Sequence, residues 1–185
     1  MATMNAALWR RLDQPGHDAC RLSQVKEGWR LEGTAVFLDE QSPAKLTYTV
    51  MCDGGWQSQS GRVSGWIGPR TVDFEIWRTT AGVWMLNGRP VPELEHCLDL
   101  DYGFTPATNA LVLRRLALSP GQTADAPAAW FDPAEGTLIL LPQHYERRSE
   151  STYGYESPTA GYAAELEIHP NGFARRYPGL WDMEE

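Results

Sequence analysis

Asp99 and Asp101 stand two positions apart in the stretch Cys97-Leu-Asp-Leu-Asp-Tyr-Gly-Phe-Thr-Pro-Ala-Thr-Asn109. On an extended chain, side chains two apart point to the same side, so these carboxylates lie roughly 7 Å from each other. That spacing suits a cation, the hydroxyls of a sugar, or an acid and a base working on one substrate. Thr105, Thr108 and Asn109 add donors and acceptors. The same residue types also clasp turns through hydrogen bonds to nearby main chain, so a structural role is the competing reading.

The run Ala110 to Leu118 reads as a strand, which places Arg114 and Arg115 on opposite sides and turns one of them inward. A buried guanidinium needs an acid, and Asp99 or Asp101 is its natural partner. Such a pair acts either as a structural lock or as a ligand clamp. The chain also carries eight Trp, seven Tyr and five Phe, a load heavy enough to wall a cavity as well as fill a core. Rings with a polar tip suit a sugar or lipid headgroup. The candidate ligand-binding set is Arg78, Trp84, Asp99, Asp101, Thr108, Asn109, Arg114, Arg115, Gln143 and Tyr145.

Enzyme signatures are scarce. There is no Gly-x-Ser-x-Gly elbow, phosphate loop, His-Glu-x-x-His helix or dinucleotide fingerprint. His17, His96, His144 and His169 are scattered, and neither His17 with Cys20 nor His96 with Cys97 repeats at zinc-site spacing. No metal and no cofactor is expected, and no residue is assigned a catalytic role.

Period-two alternation supplies the elements that must position these residues. Trp29, Leu31, Gly33, Ala35 and Phe37 share one face of a strand; Leu46, Tyr48, Val50 and Cys52 share another, as do Val72, Phe74 and Ile76. Val83 to Leu86 runs into Asn87-Gly88, which favours a tight hairpin. Ala110 to Leu118, Thr137 to Leu141, Gln143 to Arg147, Tyr162 to His169 and Phe173 to Tyr177 read as further strands, the last two joined at Pro170-Asn171-Gly172. Gly and Pro interrupt nearly every helical window. Single turns at Pro92 to Cys97 and at Thr105 to Ala110, with Thr105 as cap, are the helical candidates. Ser119 to Pro127 and Arg147 to Ser157 read as loops. The expected fold is all-β: one antiparallel meander forming a closed or half-open barrel over residues 1–185, with one or two short helices and edges removed or covered.

The whole sequence sets the surroundings. At 185 residues and 42% hydrophobic content it is one domain with a sizeable core. A net charge of −8 repels nucleic acid, and no apolar run reaches the roughly 20 residues of a membrane-spanning helix. Of 16 basic residues only Lys26 and Lys45 are Lys; the Arg excess suits carboxylate, phosphate or sugar recognition and equally reflects a GC-rich genome. Cys20, Cys52 and Cys97 are an odd set, read as reduced thiols. With no charged-then-apolar order in Met1 to Leu12, a cytoplasmic location is expected.

The chain resembles a bacterial family described as putative glycolipid-binding. The resemblance runs through Trp9-Arg10-Arg11-Leu12, Gly16-His17-Asp18, Tyr48-Thr-Val-Met-Cys52-Asp53 with Trp56, and Gly82-Val-Trp84-Met-Leu-Asn87-Gly88. It continues through Asp99 to Asn109, Arg114-Arg115-Leu116, Gln143-His-Tyr145 and Tyr177-Pro178-Gly179-Leu180-Trp181. It implies a barrel similar to periplasmic lipoprotein carriers. The leading expectation is a cavity that binds an amphipathic small molecule, a glycolipid or lipid precursor, with Arg78, Asp99, Asp101, Arg114 and Tyr145 at its headgroup. The alternatives are a hydrolase or isomerase of a sugar or lipid intermediate using the paired aspartates, and a protein-interaction module with a filled core. Oligomeric state is left open.

Overall fold

Alternation of apolar and polar residues drives the first half of the chain into long antiparallel strands. In the computed structural model, which describes residues 5–185, these are β1 (Asn5–Arg11), β2 (Gly16–Val25), β3 (Gly28–Asp39), β4 (Ser42–Cys52), β5 (Ser58–Ile67) and β6 (Arg70–Arg78). Leu31, Ala35 and Phe37 of β3 and Leu46, Tyr48, Val50 and Cys52 of β4 are buried, on the faces that the alternation assigns. Two short strands, β7 (Trp84–Leu86) and β8 (Arg89–Val91), close a hairpin at Asn87-Gly88, both at positive φ.

The chain then turns into the space enclosed by those strands. There it lays down β9 (Asp99–Tyr102) and α1 (Asn109–Leu116); β10 (Thr123–Asp125) returns to the edge of the large sheet, and β11 (Ala128–Asp132) and β12 (Thr137–Leu141) join β9 in a small one. It leaves through β13 (His144–Arg147), β14 (Thr152–Ser157), β15 (Tyr162–Ile168), β16 (Ala174–Tyr177) and β17 (Trp181–Met183). Fourteen strands form one sheet in the order β10-β13-β14-β15-β16-β17-β1-β2-β3-β4-β5-β6-β7-β8, and β12-β11-β9 form a second. The first and last strands of the large sheet do not pair, so the barrel is half open. Strand accounts for 59% of the structure and helix for 6%, which settles a β-dominated fold.

β9 is the hinge between wall and interior. Leu100 and Tyr102 face the wall, where the Tyr102 hydroxyl donates to Thr49 O at 2.9 Å and Leu100 N–H donates to Ser58 Oγ at 3.0 Å. Gly61 on β5 makes this possible, because a Cβ there would collide with the Tyr102 hydroxyl and with Leu100. Asp99 and Asp101 face the other way, toward α1 and the segment entering β13.

Several local expectations are corrected. Ala110 to Leu118 is not a strand: it is mostly α1, whose Ala110, Leu111, Val112 and Leu113 are all buried. Eight residues span little more than two turns, too few for a helical period to stand out from a consecutive apolar run. Arg114 and Arg115 therefore project about 100° apart rather than opposite, and both turn into the protein. Cys97 N–H closes a turn on Leu94 O where a helical turn was expected, and the helix begins at Asn109 rather than Thr105. The two expected loops contain β10 and β14. The meander is interrupted, since β9 and β11 pair in parallel.

Cys20, Cys52 and Cys97 are buried and unpaired, and burial pushes the Cys52 and Cys97 thiols up to about 12. Replacing Gly61 with Ala should cost about 1 to 3 kcal/mol, the range for overpacking, read as a lowered denaturant midpoint. An unchanged midpoint would mean that β9 does not seat against β5 as described.

Candidate functional site

Each β9 carboxylate has its own solution to burial. Asp99, 1% exposed, receives a two-pronged ion pair from Arg115, with Nε to Oδ1 at 2.8 Å and Nη2 to Oδ2 at 2.6 Å. Asp101 has only neutral donors: Thr108 Oγ1 donates to Oδ1 and Gln143 Nε2 to Oδ2, both at 2.7 Å. Burial raises both carboxyls above the ordinary carboxylate range, and Arg115 opposes that rise at Asp99.

Gln143 and Tyr145 extend the network. The Tyr145 hydroxyl accepts from Asn109 Nδ2 at 3.0 Å and donates to Gln143 Oε1 at 3.3 Å, while Gln143 Nε2 also donates to the Tyr155 hydroxyl at 3.1 Å. Thr108 gives its hydroxyl to Asp101 and makes no side-chain cap on α1, the helix it precedes.

On the far side of Asp101 and Asn109 opens a cavity of about 280 Å³. Its wall carries Trp130, Tyr155, Tyr162, Tyr177 and Trp181, with Tyr155, Tyr162 and Tyr177 forming a cluster whose centroids are 5.3 to 6.0 Å apart. Thr105 and Ser157 complete the polar lining. Ser157 Oγ is buried beside these rings and makes no hydrogen bond of good geometry. The hydroxyl lies behind the cavity wall, close enough to the Tyr155 hydroxyl to oppose the rise that burial imposes on it.

The structure thus joins Asp101, Thr108, Asn109, Gln143 and Tyr145 in one network, with the Asp99–Arg115 pair on the same face of β9. Arg78, Trp84 and Arg114 lie apart from it. Trp84 is fully buried, its indole N–H donating to Cys97 O at 3.0 Å, and Arg78 donates to Glu95 O at 3.1 Å. Arg114 reaches the main-chain oxygen of Asn171 at 2.6 Å. Among the described residues no three His, Cys, Asp or Glu side chains gather to hold a metal.

Sequence reasoning passed over Asp18. It sits on the inward face of β2 with Cys20 and Leu22, fully buried, and accepts from the Tyr48 hydroxyl at 2.8 Å and from Thr105 Oγ1, while its Oδ1 has no partner. Its alternation with Cys20 and Leu22 was the signal available. Burial pushes its carboxyl up to about 7.

Residues 6–183 match the family described as putative glycolipid-binding. The chain belongs to that family. Among solved structures, a DUF1089 family protein from Pseudomonas aeruginosa superposes with a TM-score of 0.79 at 25% identity, over 90% of this chain and 91% of that one. No curated protein matches. For this family member the site's titration has a defined sign. A carboxyl raised from its unfolded value near 4 to about 7 holds its proton in the folded state, so its contribution is complete below about pH 4 and is lost as pH rises to about 7. Asp18→Asn should therefore gain on the wild type by on the order of a few kcal/mol between pH 4 and pH 8, followed by urea titration. A difference constant across that range would show Asp18 ionised throughout.

Proposed function

We propose that the chain binds the sugar headgroup of an amphipathic glycolipid or lipid precursor in the cavity beside Asp101. The observation that carries this reading is a space walled by tyrosine and tryptophan rings, with Asp101 and Asn109 in its lining. Aromatic faces take the C–H side of a pyranose, and carboxylate and amide groups take its hydroxyls. The family description supports the same ligand class.

A space of about 280 Å³ lies at the bottom of the range for small-ligand sites, so it suits a headgroup and leaves no room for an acyl tail. Leu141 in its lining is the last residue of β12, where Ile139 and Leu140 are 49% and 38% exposed, and that strand offers the tail an apolar path outside. Asp101 lines the cavity and Asp99, held by Arg115, does not, so only one aspartate of the pair is turned to it; this favours binding over hydrolysis by two carboxylates. The interior is largely filled by α1 and the small sheet, but the cavity distinguishes it from a solid core. None of the described helices is long and apolar enough to cross a membrane, and three buried thiols suit a reducing compartment, which we take to be the cytoplasm.

The test uses n-octyl glucoside below its micellar concentration, followed through Trp130 and Trp181 fluorescence. Tyr162→Ala removes a ring from the cavity wall and should weaken binding by about 0.5 to 1.5 kcal/mol, the worth of an aromatic contact. Asp101→Asn should weaken it by about 1 to 3 kcal/mol. If the folded variants bind like the wild type, the cavity is not the headgroup site and Asp101 is a structural lock.

A further inference from the structure

A larger cavity lies elsewhere, and its charge is opposite to that of the chain. It is an open groove of about 820 Å³ whose lining includes Arg114, Arg147, Arg175 and His169 against the single carboxylate of Glu150, in a protein of net charge −8. Two of these guanidinium groups are held in place by neutral groups. Arg114 donates to Ala110 O at 2.8 Å, Gly172 O at 3.3 Å and Asn171 O at 2.6 Å, with its guanidinium 5.3 Å from the Trp56 ring and 5.6 Å from Phe173. Arg147 donates to Leu118 O at 2.6 Å, Ser149 O at 3.1 Å and Glu150 O at 3.1 Å, and lies 5.7 Å from the Tyr153 ring.

Carbonyls and rings orient a guanidinium without cancelling its charge. Arg114 has no carboxylate partner among the described residues, and its Nε–H and one Nη2–H are left without an acceptor there. Arg147 meets only the Glu150 side chain, at 3.2 Å, and that side chain is 88% exposed, so water and salt screen the pair. Arg175 at the rim is neutralised by Glu185. His169 Nδ1 accepts from Asn171 N–H at 3.2 Å, so the neutral ring carries its proton on Nε2 as a donor. Leu113, Tyr153 and Ile168 give the groove an apolar side.

We propose that this groove is a binding site for a phosphate monoester carried on an apolar stem, distinct from the cavity beside Asp101. Two pre-oriented cations lacking buried counter-charge call for two negative charges on one ligand. A phosphate monoester carries close to two at neutral pH, whereas a carboxylate or sulfate ester carries one. The apolar side of the groove takes the stem, and the volume exceeds what a bare ion needs.

Titration calorimetry with hexyl phosphate, hexyl sulfate and inorganic phosphate separates the parts. Hexyl phosphate should bind at least tenfold tighter than hexyl sulfate, which tests the double charge. It should also outbind inorganic phosphate, which tests the stem; equal binding of the two would assign the groove to free phosphate and overturn the stem. Arg147→Gln should lower hexyl phosphate affinity tenfold or more. Because that change could also loosen the loop after β13, Glu150→Gln is the second arm: its exposed side chain supports little of the fold, and removing its charge should tighten hexyl phosphate several-fold. No binding of any phosphate at millimolar concentration, or affinity indifferent to Glu150→Gln, overturns the proposal. Octyl glucoside binding is untouched by either outcome, so the two sites stand or fall separately.

Discussion

The burial of two carboxylates on one face of β9 governs how the interior is assembled. Desolvating a carboxylate costs several kcal/mol unless donors replace the lost water, and Asp99 and Asp101 draw theirs from different segments. Arg115 comes from the last turn of α1, Thr108 from the residue before that helix, and Gln143 from the entry to β13. Meeting the carboxylates' demand for donors therefore fixes where the helix lies, and with it the short strands that share the interior. The other face of β9 is fixed by shape, since Leu100 and Tyr102 seat where Gly61 leaves room.

Asp18 repeats the arrangement at the other end of the same loop. Thr105 gives its hydroxyl to Asp18 while accepting from Ala107 N–H, and Thr108 gives its hydroxyl to Asp101, so the segment between β9 and α1 is pinned at two points by threonines. Gly103 lies against the Trp130 ring, where a side chain would clash. The floor of the cavity is consequently stiff, a condition for recognising a polar headgroup without a large ordering cost.

What was legible in the sequence follows from which physical signal each element emits. β3, β4 and β6 alternate because one face meets water and the other the core, and their paired strands read out directly. The same rule correctly set Asp99 and Asp101 on one side of a strand. α1 emits no such signal, because its apolar residues Ala110 to Leu113 are consecutive and the helix is only eight residues long. Taking it for a strand misplaced Arg114, which serves a different groove from Asp99. Trp84 was drawn into the candidate set by its chemistry alone, and its indole N–H turns out to be spent on a main-chain carbonyl. Ser157, Tyr162 and Tyr177 meet Asp101 only through the pairing of β14, β15 and β16, contacts far apart in sequence that no local pattern encodes.

On the proposed reading the half-open barrel supports two separate sites rather than one wide lipid chamber, and the proposal that a ligand enters head first beside Asp101 is the centre of the account. A crystal structure with n-octyl glucoside bound decides it most directly. The account predicts the pyranose among Tyr155, Tyr162 and Trp130, with hydroxyls on Asp101 and Asn109 and the alkyl chain leaving past Leu141. A sugar ring found anywhere else, or an alkyl chain buried in the cavity with the sugar outside, would contradict it.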